Sequence, residues 1–152
     1  MKYDLARFLE AQNKENYFYD SPISYYESAI EEIKSGEKQS HWIWFIFPQI
    51  KGLGISPDSD YYGLAGINEA KEYLNHPVLS ERLVNCFKIL YNIDKDLFSV
   101  FKADEKKVHA CATLFSLAND NHSEIFNLMI EKHFNKTNHF KTIELLNNDK
   151  NN

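Results

Sequence analysis

The stretch Ser40–Gly54, SHWIWFIFPQIKGLG, decides how this chain is read. Six consecutive apolar residues, Trp42 to Phe47, stand between His41 and the pair Pro48-Gln49. Taken alone, this aromatic and β-branched run suits a buried strand. A lone strand needs a partner, and no second run of the kind occurs. Ser40 is a good helix N-cap and Pro48 a good stop, so the spacing predicts a short buried helix. On a helix His41 shares a face with Trp44 and Phe45; on a strand it would share one with Ile43, Phe45, Phe47 and Gln49.

The rest of the chain reads as helix. Asp4 can cap a helix carrying Leu5, Phe8 and Leu9. In DSPISYYESAIEEIKSG, Ser21 is placed as N-cap and Pro22 at the first helical position, and Gly36 sits where a left-handed C′ residue belongs. Ile50–Asp60 has no period and reads as a loop of about ten residues. Asn68 can cap EAKEYLNH, and Pro77 forces a new start before the stripe Leu79, Leu83, Cys86 and Leu90. Leu97, Val100 and Phe101 mark a short helix. Asp104 opens another, with Val108, Cys111, Ala112 and Phe115 on one side. Asn121 and Glu124 have capping-box spacing ahead of Ile125 and Leu128. A last helix carries Phe140, Ile143 and Leu146. About eight helices and no Asn-Gly or Asp-Gly hairpin turn make the expected class all-α, a compact multihelical bundle.

At 152 residues the chain reads as one domain over 1–146, with 147–152 a disordered tail. A domain of this size buries roughly 70% of its unfolded surface and needs no staple. The net charge of −5, from 22 acidic and 17 basic residues, argues against a nucleic-acid partner. Cys86 and Cys111 have no CxxC spacing and read as buried thiols of a reducing compartment. Asp4, Arg7 and Glu10 interrupt any signal-peptide pattern. The longest apolar run falls far short of the ~20 residues that span a bilayer. The expectation is a soluble cytoplasmic protein with no membrane partner.

Several strings together resemble one bacterial family, known as domain of unknown function 1810. They are DLARFLEAQ (4–12), SHWIWFIFPQ (40–49), GLG (52–54), YYGL (61–64), EAKEYLNHPVLSERL (69–83) and TLF (113–115). The resemblance covers nearly the whole chain apart from the tail. It implies a single, mainly helical domain and brings no activity with it. The family's small, Ser-rich stretch before TLF is VHACATLF here, with His109 and Cys111, so no hydroxyl role carries over.

The candidate chemistry centres on the opening stretch. Its aromatic bulk is either plain core or the wall of a pocket that stacks on a planar ligand. As a wall, Trp44 and Phe45 supply the apolar face, and His41 and Gln49 the hydrogen bonds at its rim. Tyr61 and Tyr62 close over it from the Gly-containing loop. His41, His76 and His109 lie in no metal-ligand spacing, and Glu72–His76 and Glu105–His109 are ordinary i,i+4 pairs. No metal and no cofactor is expected. The doublet Lys106-Lys107 reads as a solvated helix face, and Lys107 and Thr113 are kept as rim candidates only. His109 lies two residues from Cys111, which on a helix points elsewhere. GxxxxGK[ST], GxGxxG and GxSxG are all absent. Two functions stay open: a small-molecule pocket, nucleobase- or ADP-ribose-like in its ligand and enzymatic or not, or a protein-interaction module without catalytic activity.

Overall fold

The computed structural model describes residues 3–119 and 124–150, and these form a mainly helical domain with one small β-hairpin. Helix α1 (Ala6–Asn13) leads into strands β1 (Glu15–Phe18) and β2 (Ser21–Ser24), which pair antiparallel with Tyr17 opposite Pro22. The hairpin corrects the purely helical reading of this segment. Its two-residue turn places Tyr19 at φ 54°, a conformation no turn-forming dipeptide announces. Helix α2 (Tyr25–Ser35) therefore starts later than Ser21 and Pro22 suggest. Its N-cap is Ser24, which forms a capping box with Glu27, and Pro22 lies in an edge strand, where its missing N–H is tolerated. Gly36 takes the left-handed C-cap at φ 87°, as expected.

The opening stretch forms a short helix, α3 (Ile43–Ile46), followed by Phe47 and Pro48. Ser40 does not cap it. The Ser40 N–H and hydroxyl are instead taken by the buried carboxylate of Glu32 on α2. The aperiodic loop contains a further helix, α4 (Pro57–Tyr62), capped by Ser56. Helix α5 (Ile67–Asn75) begins one residue before the expected Asn68 cap, with Gly66 at the N-cap. Asp4 likewise makes no cap; Leu5 occupies that position of α1. Then come α6 (Pro77–Tyr91), with Pro77 in its first turn, α7 (Leu97–Phe101), α8 (Glu105–Ala118), α9 (Ile125–His133) and α10 (Phe140–Lys150). Asn121 of the expected capping box lies outside the described residues. The last helix runs to Lys150, four residues into the stretch read as a tail.

Helix α8 is the centre. Val108, Ala110, Cys111, Ala112, Leu114 and Phe115 are all buried, and α5, α7, α9 and α10 pack around it. A helix apolar nearly all round belongs inside a core. The aromatic stretch fills the space between this body and α1–α2: Trp42 and Phe47 meet Phe101 edge-on, and Phe47 meets Phe87. No helix among the described residues is long and apolar enough to cross a membrane.

Glu32 sets the entry into α3. Its Oε1 accepts the Gln39 and Ser40 N–H groups at 2.6 and 2.8 Å and the Trp42 indole N–H at 3.0 Å. Its Oε2 accepts the hydroxyls of Ser28 and Ser40 at 2.9 and 2.7 Å. Burial alone would raise this carboxyl's pKa, but the hydrogen bonds from Ser40, Gln39 and Ser28 outweigh it and hold the pKa below the ordinary glutamate value. A depressed folded-state pKa adds stability above the unfolded-state value that is lost as pH falls through the folded one. Denaturant melts of the wild type should therefore weaken as pH falls through and below the ordinary glutamate range. Glu32→Gln should cost about 3 kcal/mol at neutral pH and flatten that acid limb, since an amide offers one acceptor where two are filled. An unchanged acid limb in the variant would remove Glu32 from this role. Cys86 and Cys111 are free and buried, and burial lifts the Cys86 thiol to about 12 and Cys111 well above its ordinary value. Native-state labelling by a bulky thiol reagent should proceed only at the rate of unfolding.

Candidate functional site

Helix α3 divides its neighbourhood in two. Trp42, Ile43, Ile46 and Phe47 go into the core. Phe45 packs on Tyr25 and Tyr62, with ring centroids 5.5 and 5.3 Å apart, and its carbonyl accepts the Gln12 amide at 2.8 Å. Trp44 lies elsewhere. It is half-buried and lines a cleft of about 550 Å³. Its indole Nε1–H is shielded from solvent and meets no acceptor among the described residues.

Three further segments complete that cleft. Gln49 adjoins Trp44, and its side chain donates to the Phe47 carbonyl at 3.2 Å. Leu53, Gly54 and Ile55 of the following loop form a second wall. Lys106 and Lys107 come from the first turn of α8, and His139 and Lys141 from the start of α10. The loop is tied at its base: Lys51 N–H donates to the Leu64 carbonyl and Leu64 N–H to the Gln49 carbonyl, each at 2.8 Å. Gly63 is required there, because a Cβ would stand 2.8 Å from the Lys51 Cα.

Electrostatically the cleft is lopsided. Its charged lining residues, among those described, are three lysines; Lys107 pairs with the part-buried Asp104 at 3.0 Å and Lys141 with the exposed Glu144 at 2.9 Å, each one turn away. His139 Nδ1 accepts the Thr142 backbone N–H at 3.3 Å and lies 2.9 Å from its hydroxyl, which leaves Nε2 as the N–H donor of the neutral ring. The buried Thr113 hydroxyl accepts the His139 backbone N–H at 2.9 Å, so Thr113 stands behind the cleft as a support. His109 stacks on Phe134 at 4.2 Å, contacts the Thr137 carbonyl through Nε2, and meets His139 edge-on at 5.4 Å. Burial lowers both histidine pKa values, and for His139 the neighbouring His109 and Lys106 lower it further. Both shifts favour the neutral ring.

The expected site residues are thus distributed. Trp44 and Gln49 come together under the loop. Phe45 and Tyr62 pack on the other side with Phe8, and Tyr61 is exposed beside them, its carbonyl accepting the Arg7 Nε–H at 2.9 Å. His41 is exposed and does not line the cleft. His76 caps α6 through Nδ1, 3.2 Å from the Val78 and Leu79 N–H groups. No group of three His, Cys, Asp or Glu among the described residues is placed to hold a metal ion. Lys106, Lys141 and His139 join the cleft only through tertiary packing. The basic doublet was the one local signal, and it has the composition of any solvated helix start.

A family model described as "Protein of unknown function (DUF1810)" matches residues 2–146. The crystal structure of the conserved hypothetical protein Rv1873 from Mycobacterium tuberculosis is similar to this chain at 33% identity and a TM-score of 0.84, over 94% of this chain and 96% of that one. No curated protein matches it.

The separation of Trp42 from His41 is directly measurable. Trp42→Ala should cost about 3–5 kcal/mol in denaturant unfolding, as large core truncations do. His41→Ala should fall within about 0.5 kcal/mol of wild type, as exposed substitutions do. Comparable losses in the two variants would make His41 a structural residue.

Proposed function

We propose that this chain, which belongs to the DUF1810 family, binds a small planar ligand in the cleft beside Trp44. The observation that carries the reading is the meeting of Trp44 and Gln49 under a loop anchored at both ends. The cleft's volume lies within the roughly 300–1,000 Å³ usual for small-ligand sites. Trp44 offers a ring face for stacking and an indole N–H that meets no acceptor among the described residues. Gln49 and the His139 Nε2–H offer hydrogen bonds at the edge. An unmatched buried donor costs about 1–3 kcal/mol, and a ligand acceptor that reaches it recovers part of that.

The other reading, a protein-interaction module, draws on the β1–β2 hairpin, where Tyr17 and Tyr19 are 56% and 81% exposed. A thermal-shift screen of planar compounds separates the two. A ligand held at 100 times its Kd stabilises the protein by about 2.7 kcal/mol. Trp44→Ala should abolish that shift while the apo protein stays folded, and Tyr17→Ala/Tyr19→Ala should leave it intact. Loss of the shift in the hairpin variant, with Trp44→Ala unaffected, would move the binding surface to the hairpin.

A further inference from the structure

We infer that the cleft beside Trp44 selects planar ligands bearing a phosphate monoester, of the nucleoside monophosphate class, with Lys106, Lys107 and Lys141 holding the phosphate. This rests on the small-ligand reading above and adds the chemistry of the ligand's second half. The chain carries a net charge of −5, yet among the described residues no carboxylate lines this cleft and the charged lining residues are all lysines. They arrive from two separate elements, the first turn of α8 and the start of α10. The acids nearby do not cancel this. Asp104 is shared between Lys107 and Lys38, at 3.0 and 3.2 Å, and Glu144 meets Lys141 in an exposed i,i+3 pair. The exposed Lys141–Glu144 pair is readily exchanged for a doubly charged ligand, and the part-buried Asp104 divides its charge between Lys107 and Lys38. His139 adds a neutral N–H donor, its tautomer fixed by Thr142.

The geometry favours a phosphate over a carboxylate. A tetrahedral group with three terminal oxygens can accept donors from both α8 and α10, whereas a planar carboxylate presents two oxygens in one plane. Trp44 and Gln49, which come from a different part of the chain than the lysines, are left for the planar portion. A cleft lined by one sign of charge also concentrates counter-ions from solution, an effect that salt suppresses.

The test uses the full chain and isothermal titration with four nucleosides, their 5′-monophosphates and inorganic phosphate. At least one monophosphate should bind tenfold or more tighter than its nucleoside, with the advantage shrinking as salt rises from about 50 to 500 mM. Lys106→Gln/Lys141→Gln should erase the advantage and leave nucleoside affinity unchanged, and Lys34→Gln, on the last turn of α2, should leave both unchanged. Equal affinity for nucleoside and monophosphate would overturn the anionic assignment and leave the planar-ligand reading standing. Inorganic phosphate binding as tightly as the monophosphates would overturn it as well, by making the lysines a bare anion site. No binding of any of these compounds overturns the assignment; the small-ligand reading itself falls only if the planar-compound screen gives no shift that depends on Trp44.

Discussion

The carboxylate of Glu32 is the constraint on which the arrangement of the aromatic stretch depends. A charge buried on the inner face of α2 is tolerable only if its lone pairs are filled, and here both oxygens are. Two of the donors belong to the backbone between α2 and α3, so the same bonds that solvate the charge fix the path of the chain. A third is the Trp42 indole, which is thereby oriented toward Phe47 and Phe101. Asn16 extends the network into the hairpin through the Ser28 and Ser40 hydroxyls. On the opposite flank Lys38 lies over the Trp42 ring, donates to the Ser40 carbonyl and pairs with Asp104 at the start of α8. One anion thus connects the hairpin, the aromatic core and the helix whose first turn rims the cleft.

This explains what the sequence disclosed and what it did not. The helical class, the glycine cap at Gly36 and the start at Pro77 follow from local signals: apolar period, left-handed glycine, proline at a first turn; the short helix at Ile43–Ile46 follows from the want of a strand partner and the stop at Pro48. The hairpin was illegible because Tyr19 adopts positive φ without being a turn-forming residue. Ser40 precedes an apolar run and so looks like a cap, and nothing local reveals that a glutamate eight residues back takes both its donors. Ser24 and Glu27 did carry capping-box spacing, but Ser21-Pro22 three residues earlier is an equally good local start. At the candidate site Trp44 and Gln49 were accessible from composition and position. Lys107 is legible only as a rim candidate, and Lys106, Lys141 and His139 are not legible at all, since more than fifty residues separate them from Trp44.

The placement of Trp44 follows from the shortness of α3. A helix of one turn cannot present a continuous apolar face. With Trp42 pinned by Glu32 and Phe47 in the core, Trp44 is left on a different side from either. Phe45 is absorbed by Tyr25 and Tyr62. The segment serves as core and as cleft wall without any residue doing both, and α8 connects the two functions by burying Cys111 and Phe115 while its first turn reaches the surface.

The tie at the base of the Gly52–Gly63 loop has a kinetic consequence. The paired backbone of Lys51 and Leu64 is backed by Arg7, whose guanidinium bonds the Tyr61 and Gly63 carbonyls and the buried carboxylate of Glu69 at 2.9 Å. The entropy of closing the loop is therefore spent on folding, before anything enters the cleft. For the binding proposed above, encounter with a preformed wall needs no ordering step, so arrival rates should vary little among molecules of equal charge. Discrimination between them then resides in how long each one stays.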